Sequence, residues 1–462
     1  MSEMKSSMPV DFEPFHAALK QMSLSRHKGA ITHVSGLTVE SSGPNVGLGQ
    51  LCRIQMRDGR SVQAEVIGFR KSGLILLPLD AIDGIRPGDA VTALNQPRTL
   101  ALDDSIIGRV LNGLGVPIDN RGPLTGPMRP IDNVSPAPLS REMIHSPLSL
   151  GIRAIDGILT CGKGQRIGVF SGSGVGKSVL LGEIANGSAA DINVVALVGE
   201  RGREVREFLE KDLGPEGLTR SVIVVATSDA AAIQRVKAGF VAATIAEYFR
   251  DQGKDVLFMM DSLTRFAQAQ REVGLAAGEP PASKGYCPSV FALLPKLVER
   301  LGCSEHGSIT GILTVLAEGD DLNDPVADSA RSLLDGHIVL SRKLADRGHY
   351  PAIDILQSVS RLMNTVATPE HRKAAQMLRE IYATYTDAED LIAIGAFVPG
   401  SNKRIDGAIA LIERIQQFLI QPVRQRMGLS ETVSQLKSIV FAWEELLGSP
   451  ASASAKTSSK PR

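Results

Sequence analysis

The chain has 462 residues, 43% of them hydrophobic, and its 50 Lys and Arg are balanced by 50 Asp and Glu. That length predicts roughly two to four domains with sizeable cores, and the balanced charge excludes a general attraction to nucleic acid or an acidic membrane. Cys52, Cys161, Cys287 and Cys303 lack C-x-x-C spacing and histidine neighbours, and no run of about 18 apolar residues or signal-peptide core follows Met1, so the expectation is a soluble cytoplasmic chain without disulfides or zinc.

Residues 1–28 are polar, with Phe12, Phe15, Leu19 and Met22 at helical spacing. Over 29–100, short β-rich runs (31–34, 37–40, 51–56, 61–69, 74–79 and 90–94) alternate with turn residues. Asp58-Gly59 is a hairpin signal and Gly88-Asp89 marks a further turn. About six short strands in so little chain predict a small closed barrel. Over 101–368, strand-like and helix-like segments alternate, which predicts an α/β unit with a mostly parallel sheet covered on both faces. Residues 369–447 read as amphipathic helices, with one stripe at Ile405, Ile409, Ile412, Ile415 and Leu419. The Ala/Ser/Lys-rich tail, 448–462, is expected to be disordered.

The strongest chemical signal is the run Ser171, Gly172, Ser173, Gly174, Val175, Gly176, Lys177, Ser178, continued by Val179. It sits between an apolar strand-like run, 167–170, and a helix-compatible run, 179–181. Backbone N–H groups converge on phosphate oxygens only where side chains do not intrude, and a helix start adds unpaired N–H groups and a positive dipole end. This pattern, the Walker A phosphate loop, places Lys177 at the β- and γ-phosphates and the Ser178 hydroxyl on Mg²⁺. The strict pattern begins with Gly where Ser171 stands, but Gly172 and Gly174 keep the loop permissive. A merely flexible Gly/Ser turn is the competing reading, and the strand–turn–helix setting argues against it.

Two carboxylates extend this site. The apolar run 194–198 ends in Gly199-Glu200-Arg201, and ligands of parallel sheets gather at the carboxyl ends of strands. Glu200 there is placed to orient the water that attacks the γ-phosphate. The five-residue apolar run 256–260 reads as a buried strand ending in Asp261, which is placed for the Mg²⁺ water shell. Taken alone, Glu200 reads as a solvated loop residue and Asp261 as a helix cap. Three strand ends carrying Lys177, Glu200 and Asp261 favour the catalytic reading.

The segment 350–361, Y-P-A-I-D-I-L-Q-S-V-S-R, together with L-V-G-E-R at 197–201, resembles the hexameric rotary ATPase superfamily that includes the ATP synthase subunits. Within it, G-E-R-G-R-E-V-R-E-F (199–208), A-T-S-D (226–229), I-A-E-Y-F-R-D-Q-G-K (245–254), the stretch 261–281, G-D-D (319–321) and D-G-H-I-V-L-S-R-K-L (335–344) resemble the type III protein-export ATPases. The likeness runs from about 30 to 445. The segment A-E-D-L-I-A-I-G-A-F (388–397), with Gly400-Ser401 and Ile405-Asp406, looks like the flagellar branch rather than the virulence branch. The resemblance implies a RecA-like P-loop core between the barrel and a helical domain, and a Mg²⁺-dependent ATPase. It also implies Tyr350 stacked on adenine and Arg361 reaching the γ-phosphate of a neighbouring subunit, with Arg201 assisting.

Because Glu200 and Arg361 occur on one chain, identical copies in a head-to-tail ring complete a site at every interface. The resemblance implies a homohexamer energising export of flagellar proteins, associated peripherally with the inner membrane. The implied partners are a coiled-coil stalk protein touching the loop of Asp320, Asp321 and Asp324, a stator-like dimer on residues 1–28, a membrane export gate, and export substrates with their chaperones. A hexameric RNA helicase would need aromatic rings in a basic groove, and Phe69 is the one aromatic residue over 30–94. A non-catalytic ring subunit would carry Gln where Glu200 stands.

Overall fold

In a computed structural model of the protein, which describes residues 28–70, 73–94, 98–317 and 324–448, the chain divides between Pro97 and Arg98 into two units. Phe12, Phe15, Leu19 and Met22, the loop residues Asp320 and Asp321, and the tail beyond Gly448 lie outside the described residues.

The first unit is a closed antiparallel barrel. Its strands are β1 (Lys28–Ser35), β2 (Thr38–Ser41), β3 (Leu51–Gln55), β4 (Ser61–Arg70), β5 (Gly73–Pro78) and β6 (Ala90–Leu94), in the order β1-β2-β5-β4-β3-β6. Each of the predicted β-rich runs contributes one strand. Side-chain alternation explains why the sheet closes: on β3, Cys52 and Ile54 are fully buried inside while Arg53 and Gln55 face out. Burial pushes the Cys52 thiol up to about 11, which keeps it an unreactive core residue. The Asp58-Gly59 turn sets the β3–β4 register: the Asp58 carboxylate accepts the Arg60 N–H at 3.0 Å, and Gly59 takes the left-handed φ of 90°.

The second unit is built on a nine-stranded sheet. Its main strands are β7 (Val110–Asn112), β8 (Arg166–Ser171), β9 (Ile192–Val198), β10 (Ser221–Ala226), β11 (Asp255–Asp261), β12 (Ser308–Leu316), β13 (Gly336–Leu340) and β14 (Ile353–Ser360). They run β14-β13-β8-β12-β11-β9-β10-β7, with Gly302–Cys303 pairing beside β12. Every pairing from β13 to β7 is parallel, and only β14 and Gly302–Cys303 join antiparallel. Every residue of β9 and β10 is buried, as expected of parallel strands covered on both faces. This order brings the carboxyl ends of β8, β12, β11 and β9 together along one edge.

The helices that matter for the site are α1 (Arg153–Ile158), α2 (Lys177–Gly187), α3 (Ala232–Arg250), α4 (Leu263–Ala277) and α5 (Pro325–Leu333). Three more, α6 (Pro369–Ala393), α7 (Lys403–Leu419) and α8 (Leu429–Leu447), pack on one another and on α1. The buried face of α7 is Ala408, Leu411, Ile412, Ile415, Phe418 and Leu419. The predicted stripe is therefore rotated: Ile405 and Ile409 are only half-buried at its flank. Gly407 explains the shift, because Trp443 of α8 packs against it so closely that a Cβ would lie 2.9 Å from the ring. No helix of the described residues is long and apolar enough to cross a membrane.

A buried ion pair ties α3 to the segment leading into the sheet. Arg300 grips Glu247 with two bonds of 2.7 Å, and donates to the Ile131 carbonyl and the Thr244 hydroxyl at 2.9 Å each. Both side chains are 2% exposed. Removing one partner leaves the other charge buried and unpaired, so Glu247→Ala is expected to cost about 3–5 kcal/mol. Urea unfolding followed by Trp443 fluorescence and by circular dichroism reads that loss, and a midpoint equal to wild type would contradict it.

Candidate active site

The central strand β8 delivers the chain into the loop between Ser171 and α2. Gly174 and Gly176 take left-handed φ angles of 77° and 86°, which a side chain would resist, so the loop's glycines serve its curvature. Ser171 is buried and its hydroxyl finds no partner among the described residues, so the Ser-for-Gly departure costs the loop a desolvated hydroxyl. The Ser173 carbonyl accepts a bond from Arg342 at 3.1 Å. Val175 is buried under the loop, whereas Gly176 and Lys177 are half-buried and Ser178 and Val179 are exposed at the start of α2. Gly172 shares the mouth of a smaller hollow with Arg342 and Gln357.

Lys177, Glu200 and Asp261 converge from three different segments. The Lys177 ammonium lies 2.5 Å from Asp261 Oδ1 and 3.5 Å from Glu200 Oε1. Burial alone would push this ammonium down, but the two carboxylates outweigh it and hold Lys177 above its ordinary value. Glu200 is pushed up to about 7, first by burial and then by the negative charge of Asp261, against the opposing pull of Lys177. Its carboxyl also shares a hydrogen bond with Glu204, whose own carboxyl is held below the usual range mainly by that bond. Asp261 Oδ1 takes a second bond, from the Thr314 hydroxyl at 2.7 Å, while its other oxygen accepts nothing from the described residues.

A free carboxylate oxygen and an exposed serine hydroxyl at a helix start are a donor set suited to Mg²⁺, which takes one or two protein oxygens beside phosphate and water. Among the described residues no three His, Cys, Asp or Glu side chains gather as a closed metal cage. The residues present therefore fit a nucleotide-bound Mg²⁺ rather than a cation held by protein alone.

Beside the phosphate loop opens a cavity of about 390 Å³. Its walls include Val179, Leu180, Tyr350, Pro422 and Val423, and the Tyr350 ring packs within 3.4 Å of where a Gly176 Cβ would stand. Tyr350 is 43% exposed, facing this space rather than filling a core. The far wall comes from the turn after α7. Gln421 stitches it in place: its N–H donates to the Tyr350 carbonyl at 2.9 Å, and its side chain bonds Arg153 N and the Gly151 carbonyl at 2.8 Å each.

Arg361 is not part of this cluster. It follows β14, its side chain is exposed, and its guanidinium donates to the Arg331 carbonyl at 3.1 Å without a carboxylate partner among the described residues. Arg201 is likewise exposed, at the start of the short helix Gly202–Glu207. Sequence reading assigned no role to Glu204, Thr314, Gln421 or Val423. Glu204 had a signal, since it follows Glu200 closely in the same charged run at 200–204. The other three had none, because their partners are distant in the chain.

The chain is similar to known proteins along most of its length. The model of the ATP synthase alpha/beta family nucleotide-binding domain matches residues 151–360, that family's beta-barrel domain matches 31–95, and the T3SS EscN ATPase C-terminal domain matches 367–438. The chain is 50% identical to the flagellum-specific ATP synthase of Bacillus subtilis, over 89% of this chain and 94% of that one. It is 46% identical to the type 3 secretion system ATPase of Xanthomonas euvesicatoria, over 91% and 96%. Among solved structures, the assembled ATPase EscN of enteropathogenic E. coli in complex with its central stalk EscO is 45% identical, with a TM-score of 0.83, over 89% of this chain and all of that one. The chain belongs to the ATP synthase alpha/beta family and, within it, to the flagellum-specific and type 3 secretion ATPases.

Proposed function

We propose that this protein hydrolyses ATP in a homohexameric ring that drives type III export of flagellar proteins across the cytoplasmic membrane. The observation that carries the reading is the trio of Lys177, Glu200 and Asp261 beside a phosphate loop, with the exposed Arg361 outside it. Bound Mg²⁺ supplies charge neutralisation at the phosphates, and Ser178 and Asp261 are the residues that would hold it. Lys177 leaves its carboxylates for the β- and γ-phosphates, which carry more negative charge. Glu200, once ionised, holds and polarises the attacking water. The loop residues from Ser171 to Val179 enclose the phosphates, and Arg361 with Arg201 serves the transferring phosphate at the junction of two subunits.

Tyr350 supplies one face for the adenine ring. Stacking on an aromatic side chain is worth about 1–3 kcal/mol per base. Tyr350→Ala is therefore expected to raise KM for ATP about 10- to 100-fold while kcat changes little, and steady-state kinetics showing an unchanged KM would remove the assignment.

A solved relative bound to its central stalk supports a central stalk partner, and this reading makes that partner a coiled coil that touches the segment of Asp320, Asp321 and Asp324. The remaining partners of this reading are a stator-like dimer at the N-terminal segment, the membrane export gate, and export substrates with their chaperones, which place the ring in the cytoplasm against the inner membrane. A virulence-type secretion system is the second reading, favoured by the match of the C-terminal helices to the EscN domain. Deleting the gene decides between them: loss of flagella with intact needle secretion is the expected result, and the reverse would assign the chain to the virulence system.

A further inference from the structure

We infer that Thr314 is a positioning residue whose hydroxyl holds the Asp261 carboxylate in the orientation that serves the metal-bound nucleotide. This rests on the metal role proposed above for Asp261. Thr314 lies on β12, the strand between β8 and β11, with no exposed surface, and its neighbours Ile312, Leu313 and Val315 are all aliphatic. A hydroxyl is out of place in such a run unless a partner needs it. The register supplies that partner, for Met260 pairs with Leu313, so Asp261 and Thr314 come next on adjacent parallel strands. The hydroxyl lies 2.7 Å from Asp261 Oδ1 and 3.3 Å from the Met260 carbonyl. It has one proton, and the nearer, charged acceptor takes it.

Two donors therefore meet at Oδ1, Thr314 and the Lys177 ammonium at 2.5 Å. Only one of them is permanent. When Lys177 moves to the phosphates, Oδ1 keeps the Thr314 hydroxyl alone, and the other oxygen, which accepts no bond from the described residues, is left for the ligand. The terminal torsion of an aspartate is broad and nearly two-fold, so nothing intrinsic to Asp261 selects which oxygen is presented. The hydroxyl makes that selection. Outer hydrogen-bond partners of metal-binding carboxylates commonly contribute about 10- to 100-fold in metal affinity or activity.

The test measures binding of a fluorescent ATP analogue by the full-length protein, first in EDTA and then across a Mg²⁺ titration. Thr314→Val keeps the shape and removes the hydroxyl. It is expected to melt like wild type, to bind nucleotide equally in EDTA, and to need about 10- to 100-fold more Mg²⁺ for the metal-dependent tightening. Thr314→Ala carries the same expectation should the valine not fold, and Thr314→Ser should restore the wild-type titration. Asp261→Asn is the control for the underlying reading. If Asp261→Asn shifts the Mg²⁺ titration while the folded valine and alanine variants do not, Thr314 does not position the carboxylate. If Asp261→Asn leaves it unshifted as well, the metal role of Asp261 fails and this inference falls with it.

Discussion

Arg361→Ala is expected to bind ATP almost as wild type does and to lose about 10³-fold or more in turnover, the scale of an arginine supplied across an interface. The reason is geometric. Within one chain the Arg361 guanidinium donates to the Arg331 carbonyl, exposed and without a carboxylate partner among the described residues, whereas Lys177 and Glu200 lie 3.5 Å apart in a partly buried cleft. An exposed cation set apart from its own subunit's site is available to a neighbour's phosphate. Mixing inactive Arg361→Ala with inactive Glu200→Gln protein tests this directly. At random assembly about a quarter of the head-to-tail interfaces join an intact Glu200 to an intact Arg361. Activity should return in the mixture, below wild type where turnover around the ring is coupled. Mixed rings that demonstrably form and yet exceed neither parent would show that Arg361 acts within its own subunit or not at all.

The second large effect separates two residues that share a cleft. Lys177→Ala should lose both phosphate binding and hydrolysis, since it removes the main mobile cation and leaves Glu200 and Asp261 facing each other unneutralised. Glu200→Gln should keep binding ATP and lose about 10²- to 10⁴-fold in kcat, the usual share of a positioned acid–base group. Its pH signature is equally specific. In the free enzyme the Glu200 carboxyl is pushed up to about 7 by burial and by Asp261. Below that pH it is protonated and holds water poorly; above it the carboxylate is present. The wild-type kcat/KM, which reports the free enzyme, should therefore rise with pH through about 7 and then level off. The residual activity of Glu200→Gln should lack that rise. An identical acid limb in both proteins would assign the titration to another group.

The parts legible in the chain were those whose physics is local. Two-residue alternation and the Asp58-Gly59 turn suffice to specify the barrel strands, because a strand's inward and outward faces depend on nothing beyond neighbouring residues. The phosphate loop is similarly local: the glycines, Lys177 and Ser178 are contiguous, and the strand before and the helix after are set by short apolar runs. Glu200 and Asp261 were readable as strand ends because parallel strands present their carboxyl ends on one side, so a carboxylate just beyond an apolar run is placed without knowing the strand order. The family resemblance added Tyr350 and Arg361, whose surroundings no local pattern describes.

Tertiary structure decided what depends on strand order and on close approach between distant segments. Thr314 meets Asp261 only because β12 lies between β8 and β11. The far wall of the cavity comes from Gln421 to Val423, some seventy residues beyond Tyr350, and is pinned by bonds to Tyr350, Arg153 and Gly151. The Arg300–Glu247 clasp joins two surface-type residues that composition would leave in solvent, and burial makes the pair obligatory. The rotation of the apolar face of α7 follows from Trp443 closing on Gly407, a fit that helical periodicity cannot express. Local sequence determines which elements form and which groups stand at their ends. The elevation of Glu200 arises only when the packed fold excludes water and brings Asp261 alongside it, against the pull of Lys177, because desolvation and short-range charge interactions exist only between groups the fold has made neighbours.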